Sequence, residues 1–122
     1  MTAEEAKRRW KGPVVPVLTI FKDDLSLDLE GLRGNMRYLL DTGARVGNMV
    51  LLVCGADGDF PVLTTGERKQ VAETVADEVQ GRVPIILGAE HTSTLAVVEL
   101  ARHAVEIGAD AIQVCPPYYY TP

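Results

Sequence analysis

Apolar and polar positions follow two rhythms along the 122 residues, and the rhythms alternate. Val14 to Phe21 is an apolar, β-branched run broken by Pro16, which predicts a first strand. After the Lys22-Asp23-Asp24 turn, Leu29, Leu32, Met36, Leu39 and Leu40 recur at spacings of three and four, the face of one helix. Gly31 and Gly34 weaken that helix and Gly43 stops it. Asn48 to Cys54 predicts a second strand, apolar at every position from Met49 to Val53, as expected when both faces are covered. Thr64 with Glu67 spells a capping box, and Val71, Val75 and Val79 then line one side of a helix that ends at Gly81-Arg82.

Val83 to Leu87 predicts a third strand, and Thr92 or Ser93 starts a helix carrying Leu95, Val98 and Val105 that stops at Gly108. Ala111 to Cys115 predicts a fourth strand. At the amino end, Thr2 to Trp10 reads as a short helix capped by Thr2 with Glu5 as partner.

The order is βαβαβαβ with short connections, so the strands are expected to be parallel with right-handed crossovers. Two architectures fit: a small doubly wound sheet, and the first half of an eight-stranded barrel, which needs about 250 residues. The sequence ends in a loop leaving the fourth strand, with no helix to cover it. The expectation is therefore an α/β chain that supplies about the first four strands of a TIM (β/α)8 barrel. Residues 1–122 are then the amino-terminal part of one barrel domain.

Composition narrows the function. Hydrophobic residues make up 47% and charged residues 24%, which is globular rather than disordered. The formal charge of −5 argues against nucleic acid, and the one basic cluster, Lys7-Arg8-Arg9, reads as a solvated face. No apolar run approaches the ~18 residues of a membrane span. Met1-Thr2-Ala3-Glu4-Glu5 lacks a signal-peptide core, which points to the cytoplasm. Cys54 and Cys115 lie at the ends of apolar runs and are expected to be buried thiols, not zinc ligands.

The chemistry is expected at Leu52-Val53-Cys54-Gly55-Ala56-Asp57-Gly58-Asp59-Phe60, where a buried strand opens into an acidic glycine turn ahead of a helix. In α/β proteins such turns gather side chains and amides at the carboxyl end of the sheet. His91, just past the third strand, is a further candidate, whereas His103 falls on the polar side of its helix and is expected in solvent. Asp57, Asp59, Glu90 and His91 form only a weak case for a divalent metal, and the expectation is no metal and no cofactor.

These residues resemble the dihydrodipicolinate synthase / N-acetylneuraminate lyase family from about Gly12 onward. Leu18-Thr19-Ile20-Phe21 is similar to its Val-Thr-Pro-Phe, and Gly55 to Asp59 stands at its Gly-Thr-Thr-Gly-Glu turn, with Leu63-Thr64 and Glu67-Arg68 following at the right spacing. Gly81-Arg82-Val83-Pro84-Ile85-Ile86, Ser93-Thr94, Gly108-Ala109-Asp110-Ala111 and Pro116-Pro117-Tyr118-Tyr119 with Pro122 continue the match in order. The resemblance implies a barrel lyase in which a lysine forms a Schiff base with a pyruvate-like 2-oxo acid. It implies a small 2-oxo acid or aldehyde as substrate and a homo-oligomer, dimer or tetramer. It also implies substrate-binding roles at Gly55, Ala56 and Asp57, and a proton-relay tyrosine at the position of Tyr119.

The sequence departs from the family at the turn. Ala56 stands where a relay hydroxyl belongs, Asp57 stands where the substrate carboxylate is held, and Asp59 replaces a glutamate. Ile20 replaces a proline, and Glu90 with Thr92 replaces a glycine and an asparagine. Two carboxylates at ~4 Å repel by roughly 1–4 kcal/mol at effective dielectrics of 80 to 20, so ordinary pyruvate binding suffers unless Asp57 is protonated or paired. Asp57 has two readings, a rebuilt polar group of the site or a cap on the local amides of its turn. Tyr119 likewise reads as a relay residue or as packing at a subunit contact. The family's lysine and second tyrosine belong to later strands, absent from this chain.

Three functions follow as expectations. The first is a Schiff-base lyase or aldolase with a diverged turn, of which this chain alone is inactive. The second is a barrel that has lost catalysis and serves as a binding or regulatory protein. The third is a small doubly wound phosphoacceptor module built on Asp23-Asp24 and Asp57. In such modules the acceptor follows the third strand, whereas Asp57 follows the second.

Overall fold

The computed structural model describes residues 1–116. The elements run α1 (Ala3–Arg9), β1 (Val14–Val17), α2 (Leu29–Asp41), β2 (Val50–Val53), α3 (Thr65–Val79), β3 (Ile85–Gly88), α4 (Thr94–Glu106) and β4 (Ala111–Gln113). All four strands are parallel and lie in the order β1-β2-β3-β4. Strand order decides between the two architectures. A doubly wound sheet reverses its order at a switch point, whereas a barrel adds each strand beside the last. The order here is sequential, which removes the doubly wound phosphoacceptor reading.

Register separates two faces. Val17, Val53, Leu87 and Ile112 are aligned across the sheet, and the first three are buried against the helices. Pro16, Leu52, Ile86 and Ala111 align on the opposite face. Leu52, Ile86 and Ala111, with Trp10, Val14 and Gln113, line an open trough of about 490 Å³. That is the inward face of the barrel. The continuous apolar run in β2 thus serves two surfaces, helix-facing and trough-facing.

The core lies between sheet and helices. Leu32 and Met36 of α2, Val71, Val75 and Val79 of α3, and Leu100 and Ala104 of α4 are buried there. Burying each such side chain stabilises by about 1.5–3 kcal/mol. Arg33 and Arg37 of α2 reach Asp77 and Glu78 of α3 at 2.6–3.4 Å, pinning the two helices on their polar rim.

Both expected capping boxes form, Thr2 with Glu5 and Thr64 with Glu67. Ser93 is the cap of α4. Several strands are shorter than the apolar runs suggest. β1 stops at Val17, and Phe21 instead forms an antiparallel bridge with Leu27. Pro16 lies within β1, which among the described strands pairs only with β2.

Three expectations on side chains are corrected. His103 is buried, with Nε2 3.5 Å from Glu73 and Nδ1 3.7 Å from Glu106, because α4 turns this face toward α3. Leu95, Val98 and Val105 are exposed instead; their spacing is helical, but the buried stripe of α4 runs through Leu100, His103 and Ala104. Cys115 is exposed beyond the end of β4, and only Cys54 is buried.

Candidate active site

The exit of β2 is built by a backbone reversal. Cys54 adopts a left-handed φ of +54°, which turns the chain off the strand direction. Its thiol is fully buried and approaches the Arg68 carbonyl at 3.6 Å. Burial pushes the Cys54 thiol up to about 12, beyond what nearby Arg68 offsets, so this sulfur is not a nucleophile at neutral pH.

Two single 3₁₀ turns follow, Ala56–Gly58 and Phe60–Val62, with Asp59 between them at a left-handed φ of +59°. Gly58 N–H donates to Gly55 at 3.0 Å, and Asp59 N–H donates to Ala56 at 3.2 Å. The turn is anchored from the segment leaving β1, where the buried Thr19 hydroxyl donates to the Gly58 carbonyl at 2.7 Å. Only glycine fits at 58, since a Cβ there would lie 2.8 Å from the Val17 carbonyl.

Asp57 and Asp59 are both exposed, and neither side chain hydrogen-bonds to a described residue. The turn is closed by backbone bonds and Thr19, so Asp57 does not cap it. Ala56 is exposed beside Asp57 and carries no polar group.

The exit of β3 stands next to this turn because β2 and β3 pair directly. Arg68, in the first turns of α3, is buried between the two exits and donates from Nη1 to the Glu90 carbonyl and from Nη2 to the Gly88 carbonyl, each at 2.7 Å. Its guanidinium also lies 5.2 Å from the centre of the Phe60 ring, which links the loop after β3 to the second 3₁₀ turn. Glu90 is itself buried, with Oε2 3.9 Å from Arg68 Nη2. Burial drives its carboxyl above the ordinary glutamate value, and its own backbone amide and Arg68 oppose this only in part.

His91 is half-buried, and its Nδ1 accepts the Ser93 N–H at 2.9 Å, which in the neutral ring leaves the proton on Nε2. It stands on the loop after β3, as expected. Tyr119 lies outside the described residues. Among the described residues no cluster of three or more His, Cys, Asp or Glu side chains is placed to hold a metal ion.

The sequence marks Arg68 only within the Glu67-Arg68 match and Glu90 only as a departure from the family and a weak metal candidate, and it pairs neither with the other. Arg68 falls three and seven residues before Val71 and Val75, so a charge on the apolar stripe of α3 was the available signal. Nothing in the sequence brought Glu90 to it.

Comparison with known proteins decides the family. Residues 9–122 match the model of the dihydrodipicolinate synthetase family. The chain belongs to that family. It is 40% identical over 109 residues to an uncharacterised DapA-like lyase of Halobacterium salinarum, covering 89% of this chain and 34% of that protein. It is 36% identical over 116 residues to the 4-hydroxy-tetrahydrodipicolinate synthase of Chloroherpeton thalassium, covering 95% of this chain and 37% of that enzyme.

Among solved structures, YagE of Escherichia coli K12, a family member crystallised with pyruvate, superposes with a TM-score of 0.83 at 35% identity. The match covers 93% of this chain and 37% of YagE. The Aquifex aeolicus dihydrodipicolinate synthase gives a TM-score of 0.82 at 34% identity. The fold is that of a TIM barrel, of which this chain supplies four parallel strands. It spans about a third of the length of the relatives it matches.

Proposed function

We propose that the polypeptide carrying this chain is an aldolase-type lyase acting on a pyruvate-like 2-oxo acid through a lysine Schiff base, the lysine lying outside residues 1–122. The observation that carries this reading is the family match over residues 9–122, joined to the likeness to a relative crystallised with pyruvate. The imine withdraws electrons from the adjacent carbon, so a carbon–carbon bond can form or break there. In barrels that chemistry belongs at the carboxyl ends of the strands, where Gly55–Asp59 and His91 stand.

The turn adapts the reading. The amides of Gly55, Ala56 and Asp57 offer donors to the substrate, the exposed Asp57 and Asp59 add two carboxylates, and Ala56 offers no hydroxyl. A substrate carboxylate beside Asp57 is therefore disfavoured, and the end of the substrate that meets this turn is a hydroxyl or carbonyl group. The same reading makes the protein a cytoplasmic homo-oligomer, dimer or tetramer, with Tyr119 as its proton-relay residue and no cofactor required.

Borohydride reduction of the natural polypeptide with pyruvate tests it. A covalent adduct on one lysine is expected, and absence of an adduct with any of several 2-oxo acids overturns the reading. A second reading, a barrel without catalysis that binds a small molecule, is favoured by Ala56 and Asp57. Turnover that disappears when the adducted lysine is replaced excludes it.

A further inference from the structure

α1 is too short to hold itself in place. Isolated helices below ~12–15 residues are marginal in water, and this one has 7 residues, none of them buried. Its carboxyl end is tied to the sheet at two points. Trp10 shares the trough with Val14 and Ala111, the first residues of β1 and β4, and with Leu52 and Ile86 of the strands between. Arg9 Nη1 lies 3.8 Å from Asp110 Oδ1, on the residue before β4, and the other oxygen of that carboxylate accepts the Ile85 N–H at 2.9 Å.

The two ties lie at opposite ends of the sheet. Residues 11–13 tether Trp10 to the start of β1, and Arg9 reaches the start of β4. β1 and β4 are the first and last strands of the arc, so Arg9 and Trp10 cross it as a chord at the amino ends of the strands. Gly55–Asp59 and His91 stand at the other, carboxyl ends. The indole is half-buried, with Nε1 shielded and without a hydrogen-bond partner among the described residues. Burying an unpaired N–H costs free energy, so the contact of the ring with the trough wall outweighs that cost.

We infer that Arg9 and Trp10 form the floor of the closed barrel, a seat at the amino ends of the strands on which inward side chains of the strands outside residues 1–122 pack. The occupant is the rest of this polypeptide. A closed barrel fills its interior with layers of side chains drawn from alternate strands, so a trough on the inward face of four strands is completed by strands of the same domain. To close the ring those strands run from β4 round to β1, and that is the gap the chord spans. The chain covers 34% and 37% of the two relatives compared, so the closing strands belong to the unmatched length. The family match starts at residue 9, which leaves α1 as a feature of this chain beyond it. A floor here keeps water out of the interior and leaves the carboxyl ends open to substrate. The inference rests on the barrel architecture and is independent of the Schiff-base reading.

The test uses the natural polypeptide with its Trp10→Phe and Trp10→Ala variants. Trp10 is the only tryptophan of residues 1–122, and subtracting the W10F emission spectrum isolates it from any other in the natural polypeptide. The Trp10 emission is expected to be blue-shifted and hardly quenched by acrylamide at every protein concentration. In W10A, hydrogen exchange is expected to quicken about tenfold or more at the amino ends of β1, β4 and the strands outside residues 1–122, with the carboxyl ends unchanged. The thermal midpoint of W10A is expected to fall by roughly 5–15 °C.

Red-shifted emission that acrylamide quenches freely overturns the inference. Shielded emission that becomes red-shifted on dilution to monomers assigns the cover to a second copy of the chain and overturns it too. Exchange in W10A that quickens only within residues 1–122 overturns the packing of the later strands on Trp10. If W10A does not fold, the W10F difference spectrum decides alone.

Discussion

The Thr19 hydroxyl donates to the Gly58 carbonyl at 2.7 Å, so the segment leaving β1 holds the turn leaving β2. The bond is buried and spans 39 positions of sequence. It explains how a turn with two exposed aspartates and no side-chain cap keeps one shape. Replacing Thr19 by Val keeps the volume and strands the carbonyl, which costs about 1–3 kcal/mol. Urea denaturation of the T19V variant is expected to show that loss, and an unchanged midpoint would remove the anchor.

Gly88 is where three groups crowd together. A Cβ there would sit 2.1 Å from the Cys54 carbonyl oxygen, which is backbone and cannot swing aside. Gly88→Ala is therefore expected to fall among the exceptional substitutions that destabilise by more than about 4 kcal/mol. Thermal unfolding measures it, and a variant as stable as the wild type would show that the exits of β2 and β3 are not this close.

Arg68 joins the same two exits. Arg68→Met removes both carbonyl bonds and the contact over Phe60. A loss of roughly 2–5 kcal/mol is expected, from two buried carbonyls left without donors at about 1–3 kcal/mol each. Lysine has no fork to reach both carbonyls, so R68K is expected to recover only part of it. Full recovery by Lys would contradict the two-pronged geometry.

Glu90 also sets a pH dependence of stability. Its folded pKa lies above the unfolded value near 4.5, so the folded state holds the proton more tightly. Stability from this group is present below the unfolded pKa and is lost as pH rises through the folded pKa. Relative to E90Q, the wild type is expected to lose stability as pH rises from 4.5 toward neutrality. Parallel stability curves for the two proteins across that window would contradict a raised pKa.

The two thiols should part company under a thiol reagent. Cys115 is exposed, while Cys54 is buried with its pKa pushed up to about 12. Mass mapping after brief labelling is expected to find Cys115 modified and Cys54 untouched until the protein unfolds.

Most of the fold was legible because it is written locally. Thr64 and Glu67 declare a helix start within four residues, and Val71, Val75 and Val79 declare its buried face. Features that depend on a neighbour were not legible. His103 reads as polar until α3 is set against it, and Leu95, Val98 and Val105 read as core until α4 is rotated into place. At the site, the glycine turn and His91 were visible as residues at strand ends. The Arg68–Glu90 pair was not, because 22 positions separate its members and only the parallel pairing of β2 with β3 brings them together.

A lyase that works through an imine is tested most directly by mass spectrometry of the natural polypeptide after borohydride reduction with pyruvate. One reduced pyruvate per chain is expected, mapped to a single lysine outside residues 1–122. An unmodified protein, with pyruvate and with other 2-oxo acids alike, would contradict it.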